Sequence, residues 1–359
     1  MGPARRRPGP RGHGRGGQGP GVRRVRPLWW LAGLLAVIAA GVAGLAFGPV
    51  PLPPLAVAAE LLDQIPGVRL ESGLDEREAA VLLRLRLPRV ALGLLAGAML
   101  ALAGAAYQGV FRNPLADPYL LGVAAGAGLA ATAVIALNAP RVLLPSAAFA
   151  GALAAIALTY LLGGAGGRER SPAALILSGV AVAAFLQAGQ VWLMQRYADD
   201  LREIYSWLFG RLATGGWSDV RLLLPYALIT AVVVLLHRRE LDVLTLGDEE
   251  AAGLGLHPRR SRLILIAAAS LGTAAAVSVS GLIGFVGVIV PHTVRLLAGA
   301  SYRAILPLSM LFGAAFLTSA DLIARTAAAP AEVPIGVITA LFGAPFFVLV
   351  LRTHRPVTL

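Results

Sequence analysis

Apolar residues run along this chain in long stretches separated by short polar breaks. From Val90 to Val110 no residue carries a formal charge, about the ~20 residues that a helix needs to cross ~30 Å of hydrocarbon. Setting such runs against the breaks predicts ten spans, at about 28–48, 88–109, 119–137, 143–162, 173–196, 220–237, 262–280, 284–299, 305–325 and 334–352. The fold class that follows is all-α, a polytopic membrane protein.

Local signals sharpen that outline. In the second run Gly93, Gly97, Ala101 and Ala105 recur every fourth residue, giving one nearly bare helix face; small faces let helix backbones approach closely in lipid, so this face is expected to meet another helix. Asn113-Pro114 ends the helix, since the residue before a proline avoids the α region, and Asp117-Pro118 opens the next as N-cap and first-turn proline. A tight re-entry is predicted between them. Gly281, Gly284 and Gly287 lower helix propensity before Pro291, so a broken or short helix is expected there. The connection from Gly48 to Leu83 holds Pro49, Pro51, Pro53 and Pro54, then a charged stretch, and is expected to include a short interfacial helix.

A weak internal repeat is also visible. Leu144-Pro145, Gly151-Ala152 and Pro172 recur at one fixed offset as Leu306-Pro307, Gly313-Ala314 and Pro334, and Gly104 and Pro114 recur as Gly281 and Pro291. Each match joins spans five apart, an odd number, so the halves would be inverted in the membrane, a common transporter design. With 42 Gly and 24 Pro in the chain, chance matches compete with this reading.

Composition agrees with a membrane protein. The 359 residues are 57% hydrophobic and only 14% charged, against roughly 25% charged in soluble domains, and mean hydropathy is +0.74. There is no cysteine, which removes disulfide frameworks, thiolate metal sites and thiol nucleophiles. The net charge of +12 does not indicate nucleic acid, because eight arginines and no acid lie within residues 1–27. That Gly/Pro/Arg-rich segment reads as a disordered cytoplasmic tail flanking an uncleaved first helix. Residues 28–352 then form the membrane domain and 353–359 a second cytoplasmic tail. With both termini inside, the arginines favour the inner loops, and the tail supplies most of that bias.

Several residues are candidates for chemistry, each with a plainer alternative. The inner segment from His237 to Arg262 contains LTLGDEEAAGLGLHPRR, in which Gly247 and Gly255 bracket an acidic turn; it is a docking element or a solvated loop. Asp321 is the one acid deep in an apolar span, costly at ~2.5–3.5 kcal/mol or more, and Arg325 follows at i+4. An ion pair on one helix face is favoured over a proton relay. Gln187 and Gln190 share a face of span five, with Trp192 and Gln195 further on, and either line a water-filled route or bond between helices. His292 has no second ligand at metal spacing, and a structural role is favoured. No catalytic residue, metal site or cofactor is expected. The phosphate-cradling GxxxxGK[ST] is missing and the chain has no lysine, so energy must come from another chain.

Three strings make a specific resemblance. RLPR (Arg86–Arg89), Gly97-Ala98-x-Leu100-x-x-x-Gly104-x-x-x-Gln108 and RNPLADPYLLG (Arg112–Gly122) closely resemble the permease subunits of ABC importers for iron-siderophores, haem and vitamin B12, as does SGLIGFVGVIVPHTVRLLAG from Ser280 to Gly299. In the family's order the match extends from about Arg84 to Leu351. It implies a homodimer working with two ATPase subunits and an external substrate-binding protein, with an iron(III)-siderophore as the first choice of substrate and haem or cobalamin behind. It further implies that Arg86, Arg89 and Arg325 receive the binding protein, and that Asn113, Leu115 and Ser171 form the inner gate. The segment with Leu246, Gly247, Ala251, Leu254 and Gly255 couples to the ATPase, and Gln187 and Gln190 lie near the pathway. Outward arginines break the positive-inside trend, which an acidic docking partner would explain.

Two other classes fit less well. An ion-coupled secondary transporter should carry more midplane acids than Asp321, and an intramembrane hydrolase would need a paired constellation such as HExxH, which is missing.

Overall fold

A computed structural model describes residues 26–164, 172–210, 212 and 215–353. Among them the chain forms fifteen α-helices and no strand: α1 (Pro27–Ala46), α2 (Pro54–Asp63), α3 (Glu76–Ala80), α4 (Leu87–Val110), α5 (Val123–Ala136), α6 (Leu144–Leu162), α7 (Pro172–Arg196), α8 (Leu201–Leu208), α9 (Trp217–Leu236), α10 (Arg238–Leu244), α11 (Asp248–Gly253), α12 (Pro258–Ser280), α13 (Val286–Ala298), α14 (Tyr302–Thr326) and α15 (Ile335–Thr353). Seven long apolar helices and three shorter ones, α5, α13 and α15, stand in the order of the ten predicted spans. The two tails and Ser171 lie almost wholly or wholly outside the described residues.

The spans divide into a buried centre and an exposed periphery. The apolar windows of α4 and α12 are 78% buried, whereas those of α1 and α7 are only 22% buried. α4 owes its central place to its small residues. A Cβ on Gly97 would overlap the Gly313 carbonyl of α14, and one on Gly104 would overlap Gly287 of α13. Backbones therefore pass at a separation that no larger side chain permits, and van der Waals contact takes the place of a hydrophobic drive that lipid cannot supply. The predicted small face meets α14.

Two helix ends differ from expectation in detail. The second span does not begin at residue 88: α3 runs through a π-helical turn, Val81–Arg86, straight into α4. Pro88 would clash with the carbonyl four residues earlier in a regular helix, and a widened turn relieves that clash. At the other end α4 stops at Val110, and Asp117 accepts a hydrogen bond from the Tyr119 amide at 2.7 Å. The element it caps is a 3-10 turn, Pro118–Leu121, and α5 begins only after Gly122, whose φ of +80° suits glycine. The expected break before Pro291 is present: α12 ends at Ser280, and α13 starts at Val286 after Phe285 has adopted φ +69°.

The two broken stretches meet. Tyr119 Oη donates to the Ile283 carbonyl at 2.9 Å and accepts from the Ile283 amide at 3.1 Å, so one phenol satisfies both backbone groups of an unwound residue. Helix pairings recur five spans apart, as the weak repeat suggests. α5 packs on α6 and on α7, as α13 does on α14 and α15; α4 packs on α14 and α13, as α12 does on α6 and α5.

Candidate functional site

The two ends of α4, 24 residues and so about 36 Å apart, carry the residues singled out by the sequence. At its N-terminal end five charged side chains converge. Arg89 grips Asp321 through Nε and Nη2, at 2.8–3.1 Å, and Glu332 through Nη1 and Nη2, each at 2.9 Å. Arg325 lies 3.8 Å from Asp321 on the same face of α14, and its Nη2 donates to the Gly44 carbonyl. Arg86 donates through Nη1 to the Leu45 and Ala46 carbonyls at 2.8 and 3.0 Å, and through Nη2 to Val50.

Physical chemistry accounts for this cluster. The last carbonyls of a helix have no partner within it, and here two guanidiniums serve those of α1, where the helix dipole also favours cations. Bare Gly44 and Gly48 let them in; a Cβ on Gly48 would stand 2.9 Å from Arg86 Nη2. Asp321, 4% exposed, neutralises charge that burial would otherwise make costly. The pairing expected of Asp321 with Arg325 is the weaker one, since its close partner is Arg89 from another helix. Arg86 and Arg325 are buried and committed within the chain, and Arg89 is 11% exposed beside Glu332, which is 37% exposed. Sequence gave no signal for Glu332, because its partner is far along the chain. A cavity of about 100 Å³ adjoins the cluster, lined by Arg89, Asp321, Glu332, Ser206 and Gly210 among others.

At the C-terminal end of α4 the arrangement is open. Asn113 accepts from the Leu115 amide at 2.9 Å within an exposed turn, and Arg112 before it holds φ +51°. Nearby, α11 is bracketed by Gly247 at φ +134° and Gly255 at φ +82°. Ala251 is fully buried, yet Leu246 and Leu254 are 60% and 66% exposed. This short helix thus seats one small side chain against the bundle, while the leucines that flank it stay outside. Asp248, its first residue, binds Arg262 at 2.5 and 2.6 Å and Arg112 at 3.3 Å. The Arg262 hydrogen bond chiefly, against the opposing effect of burial and helped by the charges of Arg262 and Arg112, holds its carboxyl below the usual range. Asp242 in α10 caps α14 by accepting from the Tyr302 amide at 2.7 Å.

The two glutamines do not share one environment. Gln190 is buried, donating to Thr132 of α5 at 3.2 Å and lying against Gly128; it makes the interhelical bond that was the plainer alternative. Gln187 is exposed on α7, as is Trp192. His292 is buried with its ring edge-on to Phe346 of α15, 5.8 Å between centroids.

Comparisons with known proteins place the chain in a family. The FecCD transport family matches residues 34–353. The chain is 45% identical over 287 residues to the cobalamin import system permease protein of Halobacterium salinarum, covering 80% of this chain and 77% of that one. It is 40% identical over 334 residues to an Fe(3+)-citrate import system permease protein of Bacillus subtilis, covering 92% and 96%. Among solved structures, an inward-facing metal-chelate type ABC transporter superposes with a TM-score of 0.79 at 29% identity, covering 91% of this chain and all of that one. With the matched region running from the first span through the last, this multi-pass membrane protein belongs to the FecCD transport family.

Proposed function

We propose that this chain is the membrane permease of an ABC importer for an iron(III)-siderophore or a similar metal chelate. It works as a homodimer with two ATP-hydrolysing subunits and an external binding protein, both termini in the cytoplasm. The observation that carries the reading is α11, where Leu246 and Leu254 remain exposed while Ala251 is fully buried. A helix too polar to insert in lipid, with apolar side chains held outward by two left-handed glycines, is shaped to enter a cleft on another protein. Nucleotide-driven movement there reaches the turn at Asn113 and Leu115 and, with Ser171, opens the inner gate, a rigid-body transition of known kind. Gln187, on the exposed face of α7, lies beside the route, whereas Gln190 positions α7 against α5.

At the other end Arg89 meets the binding protein, because its partner Glu332 is the accessible member of the cluster. Arg86 and Arg325 hold the platform beneath it. Charge reversal at Arg89 weakens docking most at low salt.

The Fe(3+)-citrate relative, matched over nearly its whole length, supports an iron chelate. Cobalamin is the second reading, favoured by the 45% identity to a cobalamin permease, with haem behind it. Uptake of labelled ferric siderophore, haem and cobalamin by a deletion strain separates them. One of the three is expected to enter only when this chain and its ATPase are both restored; uptake of none rejects the proposal.

A further inference from the structure

Asp248 links α11 to the end of α4. Its carboxylate is shared between Arg262 of α12, at 2.5 and 2.6 Å, and Arg112, at 3.3 Å. Arg112 stands in the turn that leads to Asn113, at φ +51°, a conformation that a side chain other than Gly, Asn or Asp seldom adopts unless its surroundings hold it. Behind that turn the Asn113 amide donates to the Gln108 carbonyl at 3.1 Å. The Gln108 side chain donates in turn to the Gly287 and Val288 carbonyls, at 3.4 and 3.3 Å, where α13 begins. Contacts therefore run without interruption from α11 through one carboxylate to the turn, and from the turn to the first turn of α13.

An exposed ion pair ordinarily contributes about 1 kcal/mol or less, and the Arg112 and Asp248 side chains are 38% and 47% exposed. Two features set this one apart. The carboxylate lies between two guanidiniums, so its removal not only frees Arg112 but leaves two like charges facing each other across the turn. Asp248 also lies between the exposed Leu246 and Leu254 in sequence, so a partner docked on this segment would remove water from the pair and strengthen it.

We infer that Asp248 is a positioning residue that makes the turn at Arg112–Leu115 move as one piece with α11. The inference rests on the proposal that α11 receives an ATPase, and it names the residue through which that contact acts on the gate.

The test has two arms. The first uses the permease alone. Asn113→Cys is the sole thiol in a chain with no native cysteine, and it carries a spin label. Adding Asp248→Asn is expected to raise the label's mobility at least threefold, and Asp248→Glu to restore it; an unchanged spectrum overturns the inference whatever the transport result. The second arm uses the complex reconstituted with its ATPase and binding protein. There Asp248→Asn lowers chelate uptake per ATP hydrolysed at least tenfold with hydrolysis within twofold of wild type, and adding Arg112→Ala lowers it no further. An unchanged ratio also overturns the inference. Failure of the wild-type complex to couple uptake to ATP, with the label still responding, counts against the proposed function and leaves the link between α11 and the turn in place.

Discussion

The two ends of α4 treat polar and apolar groups in opposite ways. At Arg86 and Arg89 the charges are largely buried and spent inside the chain, on Asp321, Glu332 and the carbonyls that end α1. Around Asp248 the carboxylate and Arg112 are exposed, although Arg262 is largely covered, and the neighbouring leucines project outward. The contrast teaches that a run of arginines where few are expected is no proof of a free docking surface. Exposed leucines flanking a short polar helix are a better sign of where a partner sits.

The contrast can be broken most forcefully at Asp321. Its replacement by Ala leaves Arg89 and Arg325 buried without their shared carboxylate, and stability is expected to fall by about 3–5 kcal/mol, read as thermal unfolding in detergent. Arg86→Met keeps bulk but takes the guanidinium donors from the Leu45, Ala46 and Val50 carbonyls, of which Ala46 keeps the Leu52 amide; a loss of about 1–3 kcal/mol is expected in the same assay. The opposite end should behave differently. Leu246→Asp together with Leu254→Asp changes stability by no more than about 0.5 kcal/mol, yet weakens ATPase association at least tenfold, about 1.4 kcal/mol, in a pull-down or titration. Glu332→Ala gives the smallest effect, about 1 kcal/mol or less, since its carboxylate is partly solvated. A Glu332 variant as damaging as the Asp321 one would show that the cluster is not organised around its buried acid.

Much of this architecture was legible in the sequence because the bilayer imposes it. Uncharged runs of fixed length placed all ten apolar helices, and the spacing of Gly93, Gly97 and Ala101 announced the face that α14 occupies. The starts of α4 and α5 were harder. A π-helical turn absorbs Pro88, and a 3-10 turn takes the cap intended for a longer helix; both are set by packing that no local pattern records. The site divided in the same way. Gly247 and Gly255 were visible because backbone geometry demands glycine there, and α11 lies between them. The partners of Arg89, Asp248 and Gln190 lie many residues away along the chain, so local spacing at i+4 found only the longer of the two bridges to Asp321. Gln187 and Gln190, three residues apart, straddle the edge between an exposed and a buried face, which helical periodicity alone does not locate.

The central claim is that a separate motor, gripping α11, drives an otherwise passive conduit. Reconstituting the purified permease in liposomes, with and without its ATPase and binding protein, and measuring uphill accumulation of the labelled chelate tests it most directly. The account predicts accumulation only when both partners and ATP are present, and none on an ion gradient alone. Uphill uptake by the permease by itself on such a gradient would contradict it.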